Sequence, residues 1–284
     1  MRNPDSPFNQ TRRKSLAARS QPDIVHAHIG VFMGIQRLVY ASKSLRGSPL
    51  VRPLNTMGKK AAGLYFDVFL GRYRTEGMTF EIPKEHTDLA MRGKFTADTY
   101  ELPERVLAKH YLPPTAAVLE LGGCIGVVAC VINHVLQQPR RHVVVEGNPS
   151  IIPILKRNRD LNGCAFQIVH GVVTQSPQPR MSVGLVMDSN QLANTGVEVP
   201  ALSIEYLEST YAMRFDALVM DIEGAEYNVL RENANHLPSL NTAIIEFHPW
   251  LIGEARTAQL YRLMSEAGLR KVDEMLSTQV WLRA

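Results

Sequence analysis

The second half of the chain is built from short apolar runs, each closed by glycine or by an acid and each followed by a segment of helical character. Runs of this kind, with few polar positions inside them, fit strands covered on both faces rather than strands with one wet side. Strands are predicted at 116–121, 143–146, 165–170, 183–187, 217–220 and 241–248, with a final pair at 269–273 and 278–282. Helices are predicted between them at 125–136, 150–161, 204–211 and 255–267, and the turn at Gly224 leads into another. Strands alternating with helices give an α/β fold with a mainly parallel sheet and helices on both of its faces. Upstream, 23–44 and 57–69 have helical patterns, 71–83 suits an extended segment or hairpin, and 102–110 is a helix with Pro103 at an early position where proline is favoured.

The densest chemistry lies where the first predicted strand meets its helix. Glu120 precedes Gly122, Gly123 and Gly126, and the next strand ends in Glu146 about 20 residues later. Glycine lets a ligand approach the backbone without meeting a Cβ. A carboxylate at the end of the following strand can accept hydrogen bonds from two ribose hydroxyls. Turn, strand, terminal acid and helix together predict a nucleoside-bearing cofactor. A dinucleotide site would want G-x-G-x-x-G, and the spacing here does not supply it. Glu120 could bind a cationic group of the cofactor or only steady the loop. His170, Gly171 and Val172 follow the third core strand and are candidates to border the adenine.

A second cluster follows the strand at 217–220. Asp221, Glu223 and Glu226 crowd its C-terminal end, and Glu246 and His248 end the strand after it. Open α/β sheets deliver site residues at these strand ends. Acids favour the first turn of a helix, which accounts for Glu226 but poorly for Asp221. His248 titrates near neutral pH and could act as a general base, or could be a loop residue ahead of Pro249. The predicted loop at 188–200 is the best candidate to face a substrate.

These motifs resemble the FkbM family of S-adenosylmethionine-dependent methyltransferases. The similar stretches are Val118-Leu-Glu-Leu-Gly-Gly-Cys-Ile-Gly126, Val144-Val-Glu-Gly-Asn-Pro149, Leu155-Lys-Arg-Asn-Arg-Asp-Leu-Asn162, Met220-Asp-Ile-Glu-Gly-Ala-Glu-Tyr-Asn-Val-Leu230 and Ile244-Ile-Glu-Phe-His248. Arg92-Gly-Lys-Phe-Thr-Ala-Asp-Thr-Tyr-Glu101 also looks like a family segment, so the resemblance covers roughly residues 80–284. It departs at Glu120 and Gly123, where the family often has Asp and Ala. It implies a Rossmann-like class I core with a seven-stranded sheet whose last hairpin inserts one antiparallel strand. It also implies S-adenosylmethionine as cofactor and methyl transfer, usually to a hydroxyl oxygen of a small molecule, sugar or glycan. Glu120, Gly122, Gly123, Gly126, Glu146, Asn148, His170, Val172, Asp221 and Tyr100 are the expected cofactor residues, with Glu101 beside Tyr100. His248, Glu246, Asp221 and Glu223 are the expected catalytic residues, with His248 or Glu246 as base. Acids around a cationic cofactor are electrostatically apt.

Length and charge refine this picture. The 284 residues, 45% of them hydrophobic, suffice for one α/β domain plus an extension. The expected division is a disordered basic tail at 1–22, a helical and extended N-terminal extension at 23–112, and the methyltransferase core at 113–284. The net charge of +4 owes much to Arg2, Arg12, Arg13, Lys14 and Arg19. No stretch interleaves basic and aromatic residues as a nucleic-acid surface would. RNA methylation is therefore an alternative rather than the expectation, as are N-methylation and non-catalytic nucleoside binding. Three scattered cysteines without metal spacing suit a reducing, cytoplasmic setting. Residues 24–41 are too polar to span a membrane and leave room only for weak peripheral contact through an amphipathic helix. With no metal-ligand cluster in the sequence, metal-independent chemistry is expected, with a divalent ion at the acidic trio as the lesser alternative.

Overall fold

The computed structural model describes residues 51–182, 191–192 and 196–284. The tail expected at 1–22, the helix at 23–44, the strand at 183–187 and residues 188–190 and 193–195 of the loop at 188–200 lie outside the described residues. Chain contacts divide the protein into Met1–Gly58 and Lys59–Ala284. Of the first unit only the start of helix α1 (Val51–Tyr65) is described.

The unit from Lys59 onward is organised around one seven-stranded sheet. Its strands are β3 (Val118–Leu121), β4 (His142–Glu146), β5 (Gln167–His170), β11 (Ala217–Met220), β12 (Thr242–Glu246), β13 (Leu269–Met275) and β14 (Thr278–Arg283). The spatial order is β13-β14-β12-β11-β3-β4-β5. Five strands are parallel, and β14 runs antiparallel to both β12 and β13. The final pair thus behaves as the sequence predicts: the chain turns at Leu276 and Ser277 and inserts β14 between β13 and β12. Smaller pairs flank the sheet: β1 (Tyr73–Thr75) with β2 (Met78–Phe80), and β6 (Val172–Val173) with β10 (Ala201–Leu202). A three-stranded patch joins β7 (Arg180–Ser182), β8 (Gln191–Leu192) and β9 (Val197–Glu198).

Successive side chains on a strand point to opposite faces, and this parity sorts the core into two layers. Leu119, Leu121, Val143, Val145, Leu218, Met220, Ala243 and Ile245 pack on one side. Val144 packs on the other, beneath helices α4 (Val127–Val135) and α5 (Ile152–Leu161), with Ile125, Val131, Leu155 and Phe166. Every residue of β3, β4 and β11 is buried. That double burial is why these strands read as unbroken apolar runs. Among the described residues no helix is long and apolar enough to cross a membrane.

Residues Lys59–Ala284 form one compact unit, so the described part of the extension from Lys59 onward belongs with the sheet. Helices α2 (Leu89–Thr96) and α3 (Leu102–Tyr111) and the β1–β2 hairpin are tied to it by specific bonds. The backbone amides of Thr79 and Glu81 donate to the side-chain oxygens of Asn162, which caps the end of α5, and of Asn158 within it. The Asn162 and Asn158 side-chain amides return bonds to the carbonyls of the same two residues. Arg105 is fully buried and donates to Thr75 Oγ1 and to the carbonyls of Tyr100 and Asp98, so hairpin, linker and α3 share one cation. The aromatic rings of Phe66, Tyr73, Phe80, Phe95 and Tyr100 continue the α4/α5 side of the core into this extension.

Candidate active site

At the C-terminal ends of β3, β4 and β11 the strands stop at one level and leave an open-mouthed cavity. Its wall carries Tyr100 and Glu101 from the extension, Gly122 and Cys124 from the glycine turn, and Glu146, Gly147 and Ile151 after β4. Val172 and Met181 close one side, and Asp221, Ile222 and Glu223 the other.

The glycine turn is fixed by what surrounds it. Gly122 has φ of +93°, and a Cβ there would lie 1.8 Å from the carbonyl oxygen of Asp221. The backbones of the two loops touch, so only glycine fits. At Gly123 a Cβ would lie 2.4 Å from Val144 Cγ1 and 3.2 Å from Leu155 Cδ2. The departure from the family's usual Ala at this position is therefore matched to the side chains beneath it.

Glu146 is 7% exposed, and its carboxylate is already engaged. The Cys124 amide donates to Oε2 at 2.7 Å and the Asn148 amide donates to Oε1 at 2.7 Å. One carboxylate thus pins both the glycine turn and the loop after β4. Each oxygen can accept a further bond on the cavity side. Burial pushes the Glu146 pKa above the ordinary carboxylate value, against the amides of Asn148, Cys124 and Gly147, which pull it down.

Asp221, Glu223, Glu226 and His248 meet at the end of β11. Glu226 opens helix α6 (Glu226–Glu232) and is fully buried. It accepts from the Gly224 amide, and its Oε1 lies 2.9 Å from His248 Nδ1. His248 Nε2 lies 3.4 Å from Glu223 Oε2 and 3.8 Å from Asp221 Oδ1. Burial alone would lower the His248 pKa. The hydrogen bond to Glu226 and the charges of Glu226, Glu246 and Glu223 outweigh it, so the pKa is raised. Asp221 is raised well above the usual carboxylate range by burial, with Glu246, Glu104, Glu223 and Glu101 adding repulsion.

The structure brings Gly122, Glu146, Val172, Asp221, Glu223, Tyr100 and Glu101 to the cavity wall, but not every predicted residue. Glu120 does not line it. Strand parity turns Glu120 toward α4, where its Oε2 shares a 2.8 Å hydrogen bond with the fully buried His142. Burial raises the Glu120 pKa and lowers that of His142 to about 3. A neutral pair under a helix steadies the sheet and is not placed to meet a cofactor cation. Glu246 also faces elsewhere: Ser277 Oγ donates to its Oε1 at 2.5 Å, beside the bond of Thr278 to Glu104. Asn148 accepts from the Ser150 amide and shapes the loop after β4, and His170 Nε2 bonds the Gly147 carbonyl. Gly123 and Gly126 build the turn from behind, and His248 supports the mouth without forming its wall.

Cys124, Gly147, Ile151 and Met181 line the cavity without having been singled out as site residues. Ile151 had a readable signal: an apolar residue just past the strand-terminal acid, where a nucleobase would rest. Glu226 was visible as an acid, but its contact with His248 depends on the pairing of β11 with β12.

Strand order, glycine turn and terminal acid together define a class I methyltransferase core. The model of the FkbM methyltransferase domain matches residues 120–271, more than half of the chain, and the protein belongs to that family. It is accordingly an S-adenosylmethionine-dependent methyltransferase. No curated protein matches its sequence. Among solved structures it is similar to cofactor-bound Rv0187 from MTB (14% identity, covering 86% of this chain and 94% of that one, TM-score 0.43). It is also similar to Aeropyrum pernix fibrillarin with natively bound S-adenosyl-L-methionine (12%, 63% and 73%, 0.39) and to M. jannaschii TYW2 in complex with AdoMet (12%, 75% and 86%, 0.42).

The cavity's own residues fit this cofactor. Glu146 would hold the ribose hydroxyls, and Ile151, Val172 and Met181 offer apolar surface for the adenine. The bare backbone of Gly122 lets the methionyl part approach, and Asp221 and Glu101 suit its positive charges.

Proposed function

We propose that the protein transfers a methyl group to a hydroxyl oxygen of a small molecule or carbohydrate, in a reducing, cytoplasmic setting. The observation that carries this is the chemistry of the cavity wall. Glu101, Glu146, Asp221 and Glu223 line it, and none of the described lining residues is Lys or Arg. Such a wall repels the phosphates of a nucleic acid and suits a neutral acceptor beside a cationic cofactor. The bound cofactor supplies an activated methyl on a sulfonium. The protein must hold the acceptor oxygen in line, keep water out and provide for the hydroxyl proton. Orientation of this kind can supply about 7–11 kcal/mol of the barrier. The proton has Asp221, Glu223 and His248 as destinations at the mouth. Glu246, held by Ser277, stands behind them.

The test is a transfer assay with methyl-labelled S-adenosylmethionine and three acceptor panels: hydroxylated sugars and small alcohols, primary and secondary amines, and tRNA. Label in an alkali-stable ether on an alcohol or sugar is the expected result. Label on amine nitrogen or on tRNA, with none on the hydroxyl panel, contradicts it.

A further inference from the structure

Asp221, Glu223 and His248 each offer one donor atom, and the three lie within 4.8 Å of one another at the edge of the cavity. Two observations distinguish this group from a crowding of acids at a strand end. The first concerns His248, which is only 3% exposed. Its Nδ1 lies 2.9 Å from Oε1 of the fully buried Glu226, so a proton on Nδ1 leaves the Nε2 lone pair facing Glu223 and Asp221. A buried carboxylate behind an imidazole whose other nitrogen meets two carboxylates is how proteins orient metal-binding histidines. The second concerns Asp221, whose Oδ1 is buried and has no hydrogen-bond partner. A carboxylate oxygen withdrawn from water without a donor is costly, and a cation would offset that cost.

The donor set narrows the choice of ion. Two carboxylates and one imidazole, with no thiolate, suit a hard to borderline divalent cation. Bonds of about 2.1 Å would place opposed donors about 4.2 Å apart, so a small contraction of the observed cluster suffices.

We propose that Asp221, Glu223 and His248 bind a divalent cation of the manganese or magnesium class at the acceptor edge of the cavity, with Glu226 as the residue that orients His248. Metal-independent chemistry is the expectation from sequence, with a divalent ion at the acidic trio only as the lesser alternative, because the ligands follow the ends of two different strands. The site deepens the proposed function, because a cation beside the acceptor oxygen would favour loss of the hydroxyl proton. Its role in transfer rests on that reading, whereas the binding of the ion does not. His248 would then be a ligand rather than a free base.

The probe is Mn²⁺ added to the EDTA-treated, dialysed full chain. Loss of the free-ion paramagnetic resonance signal reports binding, with S-adenosylmethionine binding followed in parallel by calorimetry. One Mn²⁺ per chain is expected. Glu226→Gln should weaken it roughly 10–100-fold, and Glu223→Gln and His248→Ala by at least as much. Glu146→Ala, on the far side of the cavity, should leave the Mn²⁺ affinity within about twofold. Glu223→Gln is a conservative change at a half-buried position and serves if His248→Ala does not fold. No Mn²⁺ binding by the wild type, or binding that Glu223→Gln leaves unchanged, overturns the site. Mn²⁺ binding without S-adenosylmethionine binding would keep the site and sink the methyl-transfer reading. The converse would sink the site alone.

Discussion

The two sides of the cavity hold their carboxylates in opposite ways. On the β4 side a single acid, Glu146, accepts two backbone amides before any ligand arrives. Its geometry is set by the turns it joins, and it is prepared to receive a neutral diol. On the β11 side Asp221, Glu223 and Glu226 surround one imidazole, and Asp221 Oδ1 and Glu226 Oε2 are buried without partners. The first side is complete without a ligand. The second is under electrostatic strain that a positive partner would relieve. In the proposed reading, recognition of the cofactor's sugar falls to one wall and handling of its charge and of the acceptor to the other.

The largest expected way to break this comparison is Glu226→Ala. It removes the fully buried partner of His248 and leaves Nδ1 of that buried imidazole without its acceptor, so unfolding free energy should fall by about 3–5 kcal/mol. Urea titration at neutral pH measures this. Glu226→Gln should recover much of the loss, because an amide oxygen can still accept from Nδ1.

A smaller effect is expected in the glycine turn. Gly123→Ala presses on Val144 and Leu155 and should cost about 1–3 kcal/mol. The double variant Gly123→Ala/Val144→Ala should cost less than the sum of the two single changes, since the clash is with the Val144 side chain. Additive losses would show that the tightness at Gly123 comes from elsewhere.

The smallest effect is a pH dependence behind the acidic wall. Burial, with the charge of Glu246, raises the Glu104 pKa to about 7, against the hydrogen bond from Thr278. A carboxyl raised on folding contributes stability that is fully present below its unfolded pKa of about 4.3 and is lost as pH rises through the folded value. Stability should therefore decline between about pH 4.5 and 7.5, and Glu104→Gln should flatten that part of the curve by about 1–3 kcal/mol. An unchanged slope in the variant would remove Glu104 from the account.

The sheet was legible because its central strands are buried on both faces and so appear as unbroken apolar runs bounded by glycine and acid. Glu146 and Asp221 were legible for the same reason: each is a polar residue at the end of such a run, where the chain leaves the core at the ligand edge. Glu120 shows what local sequence does not disclose. It neighbours the glycine turn in the chain, yet strand parity carries its side chain beneath α4 to His142. Contacts between elements were not legible either. Glu226 and His248 are brought together only by the pairing of β11 with β12. Glu104 and Thr278 meet across most of the unit, and the bonds of Asn162 to Thr79 and of Asn158 to Glu81 join the extension to the sheet. These depend on packing between distant segments, which hydrophobic periodicity does not encode.

The most direct measurement is calorimetric titration of S-adenosylmethionine into the wild type, Glu146→Ala and Glu223→Gln. If the two walls divide the work as described, the wild type binds one equivalent. Glu146→Ala then weakens it by roughly 10–100-fold through loss of charge-assisted bonds to the ribose, and Glu223→Gln changes it far less. Equal weakening by both variants, or undiminished binding in Glu146→Ala, would contradict the division of the site.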